Sequence, residues 1–99
     1  MQKISLCMIV KNEENSILST LESVKNLINE IILVDTGSAD TTKEIVKNFS
    51  DKNKITSKII DFKWDNNFSN ARNESLKHAT SKWILILDAD EKIDELGVT

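Results

Sequence analysis

The feature that most constrains the fold is a set of four short apolar runs, most of which do not alternate with polar residues. They are ISLCMIV (Ile4–Val10), IILVD (Ile31–Asp35), KIIDF (Lys58–Phe62) and WILILD (Trp83–Asp88). The first, second and fourth are apolar nearly throughout, as in strands that helices cover on both faces. The runs therefore predict four strands of a mainly parallel sheet.

The segments between these runs carry helical patterns. The first has Glu13 and Glu14 in its first turn and buries residues spaced by 4, 3 and 4, namely Ile17, Leu21, Val24 and Ile28. The second begins at an N-cap on Ser38 or Asp40 and buries Ile45 and Phe49. The third begins at Ser69 and presents Arg72, Leu76 and Ala79 on one face. The polar segment Ser50–Ser57 predicts a loop.

The resulting order, β-α-β-α-β-α-β, predicts a three-layer α/β/α domain that spans residues 1–99. We expect a Rossmann-like sheet in the order 3-2-1-4. Ligands of such open sheets bind at the carboxyl ends of the strands. The functional residues are therefore expected at the three junctions Lys11–Glu14, Asp35–Thr42 and Asp88–Lys92.

Composition excludes several classes of function. The net charge is -3 with both signs interspersed, which does not indicate a nucleic-acid-binding surface. No apolar run approaches the length of a membrane span. The single Cys7 lies in an apolar run and is predicted to be a core residue, which fits a reducing cytoplasm. We expect a cytoplasmic protein, with the inner face of the membrane as a further location.

Asp88 and Asp90 end the fourth run. Alternate residues of an extended segment point to the same side, so both carboxylates can enter the crevice together. Hard oxygen ligands in small number suit Mg²⁺ or Mn²⁺. The alternative is that one aspartate caps the next turn while the other is solvated.

Asp35 ends the second run, and Gly37 and Ser38 follow it in a turn. A carboxylate there can accept hydrogen bonds from a base or a ribose, although a plain turn and helix cap would explain the same residues. Glycine-rich dinucleotide and P-loop patterns are absent from the sequence. Arg72 is a candidate partner for a phosphate or for Asp88 and Asp90, and His78 is predicted to be a surface or helix-end residue.

Together, SLCMIVKNEE, EIILVDTGSADTT and NFSNARNESLKHATSKWILILDADE resemble the nucleotide-sugar-binding half of family-two glycosyltransferases, which have the GT-A type fold. The resemblance covers essentially the whole chain. The segments CMIVKNEE and ILILDADE are particularly similar to a bacterial subgroup whose catalytic domains often precede tetratricopeptide repeats.

The resemblance implies a role for each matching residue. Val10, Lys11, Asn12 and Glu13 would wrap the nucleotide, Asp35 would bind a uracil-type base, and Gly37 and Ser38 would line the same site. Arg72 would contact the nucleotide or its phosphates. Asp88 and Ala89 would lie at the ribose or a metal-bound water, and Asp90 would bind the Mn²⁺ or Mg²⁺ that bridges the diphosphate of a UDP-sugar.

The resemblance also implies an inverting transfer to an unknown acceptor, with the metal ion as a Lewis acid. The family's catalytic base lies well C-terminal to the D-x-D motif, where this chain has only Lys92–Thr99. We therefore expect a truncated domain that carries the donor-binding half and transfers sugar poorly by itself. The alternative is a non-catalytic nucleotide-sugar-binding module.

Two other enzyme classes fit less well. Aspartate-nucleophile phosphatases carry D-x-D after the first strand, not the fourth, and nucleotidyltransferases need a glycine-rich loop that VKNEEN lacks. In the order 3-2-1-4, the fourth strand lies at an edge of the sheet although both of its faces are apolar. We therefore expect self-association through that edge.

Overall fold

A computed structural model describes residues 3–88 of the chain as four strands and three helices. The elements are β1 (Ile4–Val10), α1 (Ile17–Val24), β2 (Glu30–Asp35), α2 (Thr42–Asn53), β3 (Thr56–Asp61), α3 (Phe68–His78) and β4 (Trp83–Ile86). The strands form one sheet in the order β3-β2-β1-β4, and all three pairings are parallel. The predicted α/β class and strand order are confirmed.

The main core lies between the sheet and the helices α1 and α2. Leu6 and Met8 of β1 and Leu33 of β2 pack there with buried residues of both helices, namely Ile17, Leu21, Val24, Val46 and Phe49. Residues that alternate with these along β1 and β2 point to the opposite face, where α3 contacts both strands. No helix in residues 3–88 has the length and apolar character needed to cross a bilayer.

Cys7 belongs to the α3 face of the sheet. Its thiol is buried and its Sγ lies 3.9 Å from the carbonyl oxygen of Ser75. Burial raises the pKa of the Cys7 thiol above its ordinary value of 9.0, so the reactive thiolate is disfavoured. The predicted core role is confirmed.

The starts of α1 and α2 differ from the sequence-based prediction. Helix α1 begins at Ile17 and has no acidic residue in its first turn, so the placement of Glu13 and Glu14 there was wrong. Both residues precede the helix because their backbone N–H groups donate to the side chains of Thr42, the first residue of α2, and of Asp40, which lies in the loop before it. The N-cap position of α2 is Thr41. The Asp40 carboxylate nevertheless accepts a hydrogen bond from the Thr42 N–H at 3.0 Å.

Helix α2 also extends further than expected, through most of the segment predicted as a loop. It runs to Asn53 and ends at Lys54, whose φ of 57° is left-handed. The sequence is polar there because one side of the helix is exposed. On its other side Phe49 and Ser50 are buried against the sheet, and this packing continues the helix.

Helix α3 buries small residues that the predicted Arg72, Leu76 and Ala79 face does not include. Its fully buried residues are Ala71 and Ser75, whereas Leu76 is 36% exposed. Small side chains let the helix backbone lie close to β1 and β2. The N-cap is Asn67 rather than Ser69, and its side chain accepts from the N–H groups of Ser69 and Asn70. Arg72 consequently lies in the second turn of α3.

Helix α3 ends at His78, and the edge strand β4 follows it in the chain. His78 is half-buried and lies 3.0 Å from Glu74, as a helix-end residue. In β4, Trp83, Ile84 and Ile86 are 50%, 43% and 45% exposed, so the expected cover on both faces was wrong within the described residues. The reason is that α3 lies over β1 and β2 and leaves this edge strand uncovered.

A buried carboxylate joins four segments at the amino end of the sheet. Glu30 is 5% exposed and accepts hydrogen bonds from the Ser5 hydroxyl at 2.7 Å and from the N–H and hydroxyl of Thr80. Lys58 lies 3.3 Å away. The site connects β1, β2, β3 and the segment that precedes β4. It lies at the opposite end of the strands from the predicted ligand crevice.

Candidate functional site

The carboxyl ends of the parallel strands form a row of polar residues. Val10 pairs with Asp35, and Asp35 pairs with Asp61, so the last residues of β1, β2 and β3 lie side by side. Asp88 follows β4 two residues after its end. This is the crevice in which open α/β sheets bind ligands.

Asp35 is the most unusual polar residue in this row, because it is only 2% exposed. Its Oδ1 accepts hydrogen bonds from the N–H groups of Gly37 at 2.9 Å and Ser38 at 2.7 Å. Its Oδ2 is buried and has no hydrogen-bond partner among residues 3–88. A buried acceptor without a partner is costly unless a ligand satisfies it.

Gly37 is required because of its backbone conformation and not because a larger side chain would clash with its surroundings. Its φ is +119°, and an added Cβ would meet nothing within 4 Å. L-residues rarely adopt this conformation. The glycine turns the chain so that two successive N–H groups point at the Asp35 carboxylate.

The loop after β1 and the turn after β2 are held together by side-chain hydrogen bonds to backbone groups. The Asn12 N–H donates to Ser38 Oγ at 2.9 Å, and Asn12 Oδ1 accepts from the Ala39 N–H at 2.7 Å. The Glu13 N–H donates to Thr42 Oγ1 at 2.9 Å. Asn12 itself has a left-handed φ of 54°. Asn12 and Ser38 thus build the rim of the crevice, and their predicted contact with a nucleotide stays a prediction.

Glu14 extends the same junction further from the sheet. Its Oε1 accepts from both the N–H and the hydroxyl of Thr41, at 3.1 and 2.7 Å. Its own N–H donates to Asp40. These bonds satisfy polar groups that precede the two helices, so neither loop depends on a ligand for its shape.

Two adjoining clefts open along this edge. The larger, which we name the Asp35 cleft, has a volume of about 560 Å³ and is lined by Asp35, Thr36, Gly37, Ser38, Lys43, Asp61, Phe62, Lys63 and Trp64. The smaller, the Lys11 cleft, has about 300 Å³ and is lined by Ile9, Val10, Lys11, Thr36 and Trp64. Thr36 and Trp64 border both. The structure thus groups Asp35, Gly37 and Ser38 in one cleft, and Val10 and Lys11 in the next.

The Asp35 cleft carries a cation that sequence reasoning missed. Lys43 Nζ lies 3.0 Å from Asp61 Oδ1, and both residues line the cleft. The hydrogen bond with Asp61, together with its charge, raises the pKa of Lys43 above 10.5. The only signal in the sequence was a lysine three residues after Asp40, one of the two predicted caps of α2. Nothing there connects it to the end of β3.

Arg72 and Asp88 line a third, small cavity on the other side of β1. Cys7, Ile9 and Ser75 lie in its wall. The predicted proximity of Arg72 to the end of the fourth strand is therefore present for Asp88. Glu13 is half-buried in the loop after β1, and no cleft described above includes it. Ala89 and Asp90 lie outside the described residues.

Residues 3–88 contain no group of three or more histidine, cysteine or acidic side chains that could hold a metal ion. Asp88 is exposed at the crevice. Mg²⁺ and Mn²⁺ are commonly held by one or two protein carboxylates plus water and substrate phosphates. The donor set at Asp88 fits that mode of binding, with Asp90 as the expected second carboxylate.

The sheet order defines a Rossmann-like α/β domain, and domains of this class bind ligands at the carboxyl ends of their parallel strands. Residues 5–96 match the family model described as "Glycosyl transferase family 2". The chain belongs to this family, and the structures that it resembles are GT-A type glycosyltransferases.

Two curated relatives and one solved structure illustrate the similarity. The chain is 41% identical over 93 residues to a TPR repeat-containing protein of Synechococcus elongatus, covering 94% of this chain and 22% of the relative. It is 44% identical over 88 residues to the glycosyltransferase SunS of Bacillus subtilis, covering 88% and 20%. It also resembles S. aureus TarS 1-349 in complex with UDP-GlcNAc, with 28% identity, a TM-score of 0.70 and coverage of 91% and 27%. The chain spans about a fifth of the length of these curated relatives.

Proposed function

We propose that this chain binds the nucleotide-sugar donor, of UDP type, for a metal-dependent, inverting glycosyl transfer. The single observation that carries the proposal is the buried Asp35 Oδ2 at the wall of a cleft, an acceptor for which the described part of the chain supplies no hydrogen-bond partner. Family membership and the UDP-GlcNAc complex of TarS support the same class of ligand. A cytoplasmic location, where nucleotide-sugars are available, is part of the proposal.

The chemistry of Asp35 favours one kind of base. Oδ1 is already used by two backbone N–H groups, so Oδ2 remains for one further donor. Uracil presents an N–H at ring position 3 and satisfies such an acceptor. Cytosine presents a lone pair at the same position and would be repelled. We therefore assign uridine recognition to Asp35 within the Asp35 cleft.

The remaining residues would hold the rest of the donor. Lys11 lines the Lys11 cleft, which adjoins the Asp35 cleft. Arg72 and Asp88 line the small cavity near the end of β4. A guanidinium binds phosphate oxygens in a bidentate manner. We assign Arg72 to the diphosphate. Residues 10–13 and Gly37 are assigned to the nucleoside, and Asp88 and Ala89 to the ribose. Asp90 is assigned as the metal ligand. When bound, Mn²⁺ or Mg²⁺ would offset the negative charge of the leaving diphosphate.

The alternative, a module that binds the nucleotide-sugar without transferring it, uses the same residues. The two functions differ in one requirement, because the enzyme needs a general base on the acceptor side and the binding module does not. None of the assignments above supplies that base. A transfer assay with the natural acceptor distinguishes the enzyme from the module, whereas donor binding is expected of both.

Donor binding is tested by calorimetry with UDP and CDP in the presence of Mn²⁺. We expect UDP to bind at least about tenfold more tightly than CDP, because a favourable hydrogen bond is replaced by a repulsive contact. At a hundredfold its Kd, UDP should stabilise the fold by about 2.7 kcal/mol. Asp90→Ala should remove the dependence on Mn²⁺, and the exposed Asp51→Asn is the matched control. Equal affinity for UDP and CDP, or no affinity for either, would contradict the proposal.

We also propose that β4 associates with a second copy of the chain. Trp83, Ile84 and Ile86 are about half-exposed on a strand that is hydrogen-bonded only to β1 within the described residues. Exposed edges with apolar side chains tend to pair. Sedimentation of the 99-residue chain should show concentration-dependent dimers that Ile84→Lys disperses. A monomer at every concentration would disprove this association.

A further inference from the structure

Trp64 lies in the segment that connects β3 to α3, and its side chain is 42% exposed. No residue of this segment was selected from the sequence as part of a site. Trp64 borders both the Asp35 cleft and the Lys11 cleft. Among residues 3–88, Thr36 is the one other residue that lines both clefts. Any ligand that reaches from one cleft to the other passes the indole.

The indole has no polar group left to offer such a ligand. Its one N–H, at Nε1, donates to Asn66 Oδ1 at 3.1 Å. What remains for the clefts is the apolar ring with its π face. Trp64 and the buried acceptor Asp35 line the same cleft. An aromatic ring and such an acceptor in one cleft can provide the two contacts that a nucleobase needs, one to its face and one to its edge.

The ring is held in place by a chain of hydrogen bonds. Asn66 has a left-handed φ of 62°. Asp65 accepts from the Asn67 N–H at 3.0 Å and from Asn70 Nδ2 at 2.8 Å. Asn67 in turn caps α3. The position of the indole is therefore tied to the start of the helix that carries Arg72.

We propose that Trp64 is the stacking wall for the nucleobase, and that it sets affinity for the base independently of Asp35. The inference rests on the proposed function, since it needs a nucleotide in the Asp35 cleft. Asp35 selects among bases by accepting a hydrogen bond from the edge of the nucleobase. Trp64 adds affinity for any base that the edge contact admits, because every base has a π face.

The chain contains two tryptophans, Trp64 and Trp83, which allows a direct optical test. Trp83→Phe leaves Trp64 as the sole indole of the chain, and Trp64→Phe leaves Trp83. UDP is titrated into each protein with Mn²⁺ while tryptophan emission is recorded. We expect saturable quenching in the Trp83→Phe protein, with the Kd that calorimetry gives. The Trp64→Phe protein should bind UDP with little change in emission.

Affinity provides the second arm of the test. Trp64→Leu, which keeps an apolar side chain but removes the π face, should weaken UDP roughly tenfold. Trp64→Phe should weaken it less. Binding of ribose 5-phosphate, which has no base, should not change in either variant. Circular dichroism checks that each variant folds, which is expected because the side chain is 42% exposed and is absent from the hydrophobic core.

The outcomes separate the two proposals. If wild-type protein fails to bind UDP, both the proposed function and the stacking role are overturned. If wild-type protein binds UDP but Trp64→Leu binds it equally well, the stacking role alone is overturned. An equal loss for UDP and ribose 5-phosphate also overturns it, because the base would then not be the group that contacts Trp64.

Discussion

Replacing Asp35 with asparagine is expected to weaken UDP binding by roughly 10- to 100-fold. The carboxylate accepts two backbone N–H groups through Oδ1 and leaves Oδ2 for the base. Asparagine keeps one oxygen, which the turn at Gly37 will retain. Its amide nitrogen then faces the uracil N–H, so two donors meet where a charge-assisted hydrogen bond stood. Calorimetry with UDP and Mn²⁺ measures the loss.

The controls identify the base as the origin of this effect. Asp51→Asn changes an exposed carboxylate on α2 and should leave the Kd unchanged. Ribose 5-phosphate should bind wild type and Asp35→Asn equally. An unchanged Kd for UDP in Asp35→Asn would rule out Asp35 as the base-binding residue. A melting temperature close to that of wild type would show that the turn has survived.

Replacing Glu30 with alanine is expected to lower the free energy of unfolding by about 3 kcal/mol. The side chain is 5% exposed and accepts from Ser5 and twice from Thr80, with Lys58 nearby. Its removal leaves several donors at the amino end of the sheet without an acceptor. Glu44→Ala, at an exposed position of α2, should cost well under 1 kcal/mol. Urea denaturation measures both.

Glu30 should also affect how the free energy of unfolding falls at acidic pH. Burial raises the pKa of Glu30, but the hydrogen bonds from Thr80, Ser5 and Lys58 outweigh it and hold the pKa below 4.5. A lowered folded-state pKa adds stability above the unfolded-state value, and this stability is lost as pH falls through the folded-state pKa. Glu30→Gln should therefore flatten the loss of stability below about pH 4.5. If wild type and Glu30→Gln lose stability in parallel there, this coupling is absent.

The sheet could be predicted from the sequence because the pattern that indicates each strand lies within one short segment of the chain. Non-alternating apolar runs such as Ile4–Val10 indicate strands covered on both faces, and their alternation with helical patterns leaves few topologies. Asp35 and Gly37 could be selected for the same reason, since each stands at a predicted strand end. The errors fall where tertiary contacts override local pattern. Glu13 was assigned to a helix, but hydrogen bonding to Thr42 keeps it in a loop.

Several residues carry no sequence signal for their role. Lys43 meets Asp61 only because the fold brings the first turn of α2 to the last residue of β3. Glu30 is joined to Thr80 across 50 residues of chain. Trp64 stands in a polar segment, where a tryptophan by itself does not indicate a site. Arg72 was selected for its charge, whereas the buried face of α3 is made of Ala71 and Ser75, whose small size gives no periodic apolar pattern.

The hydrogen bonds between the loop after β1 and the turn after β2 have a further consequence. Asn12 donates to one residue of the turn and accepts from the next, so neither segment can open without breaking bonds in the other. The two segments should therefore open as one cooperative unit. A ligand that closes over this rim does not have to pay the entropy of ordering two independent loops. Substitutions at Asn12 and Ser38 should in turn be non-additive, since each removes part of the same junction.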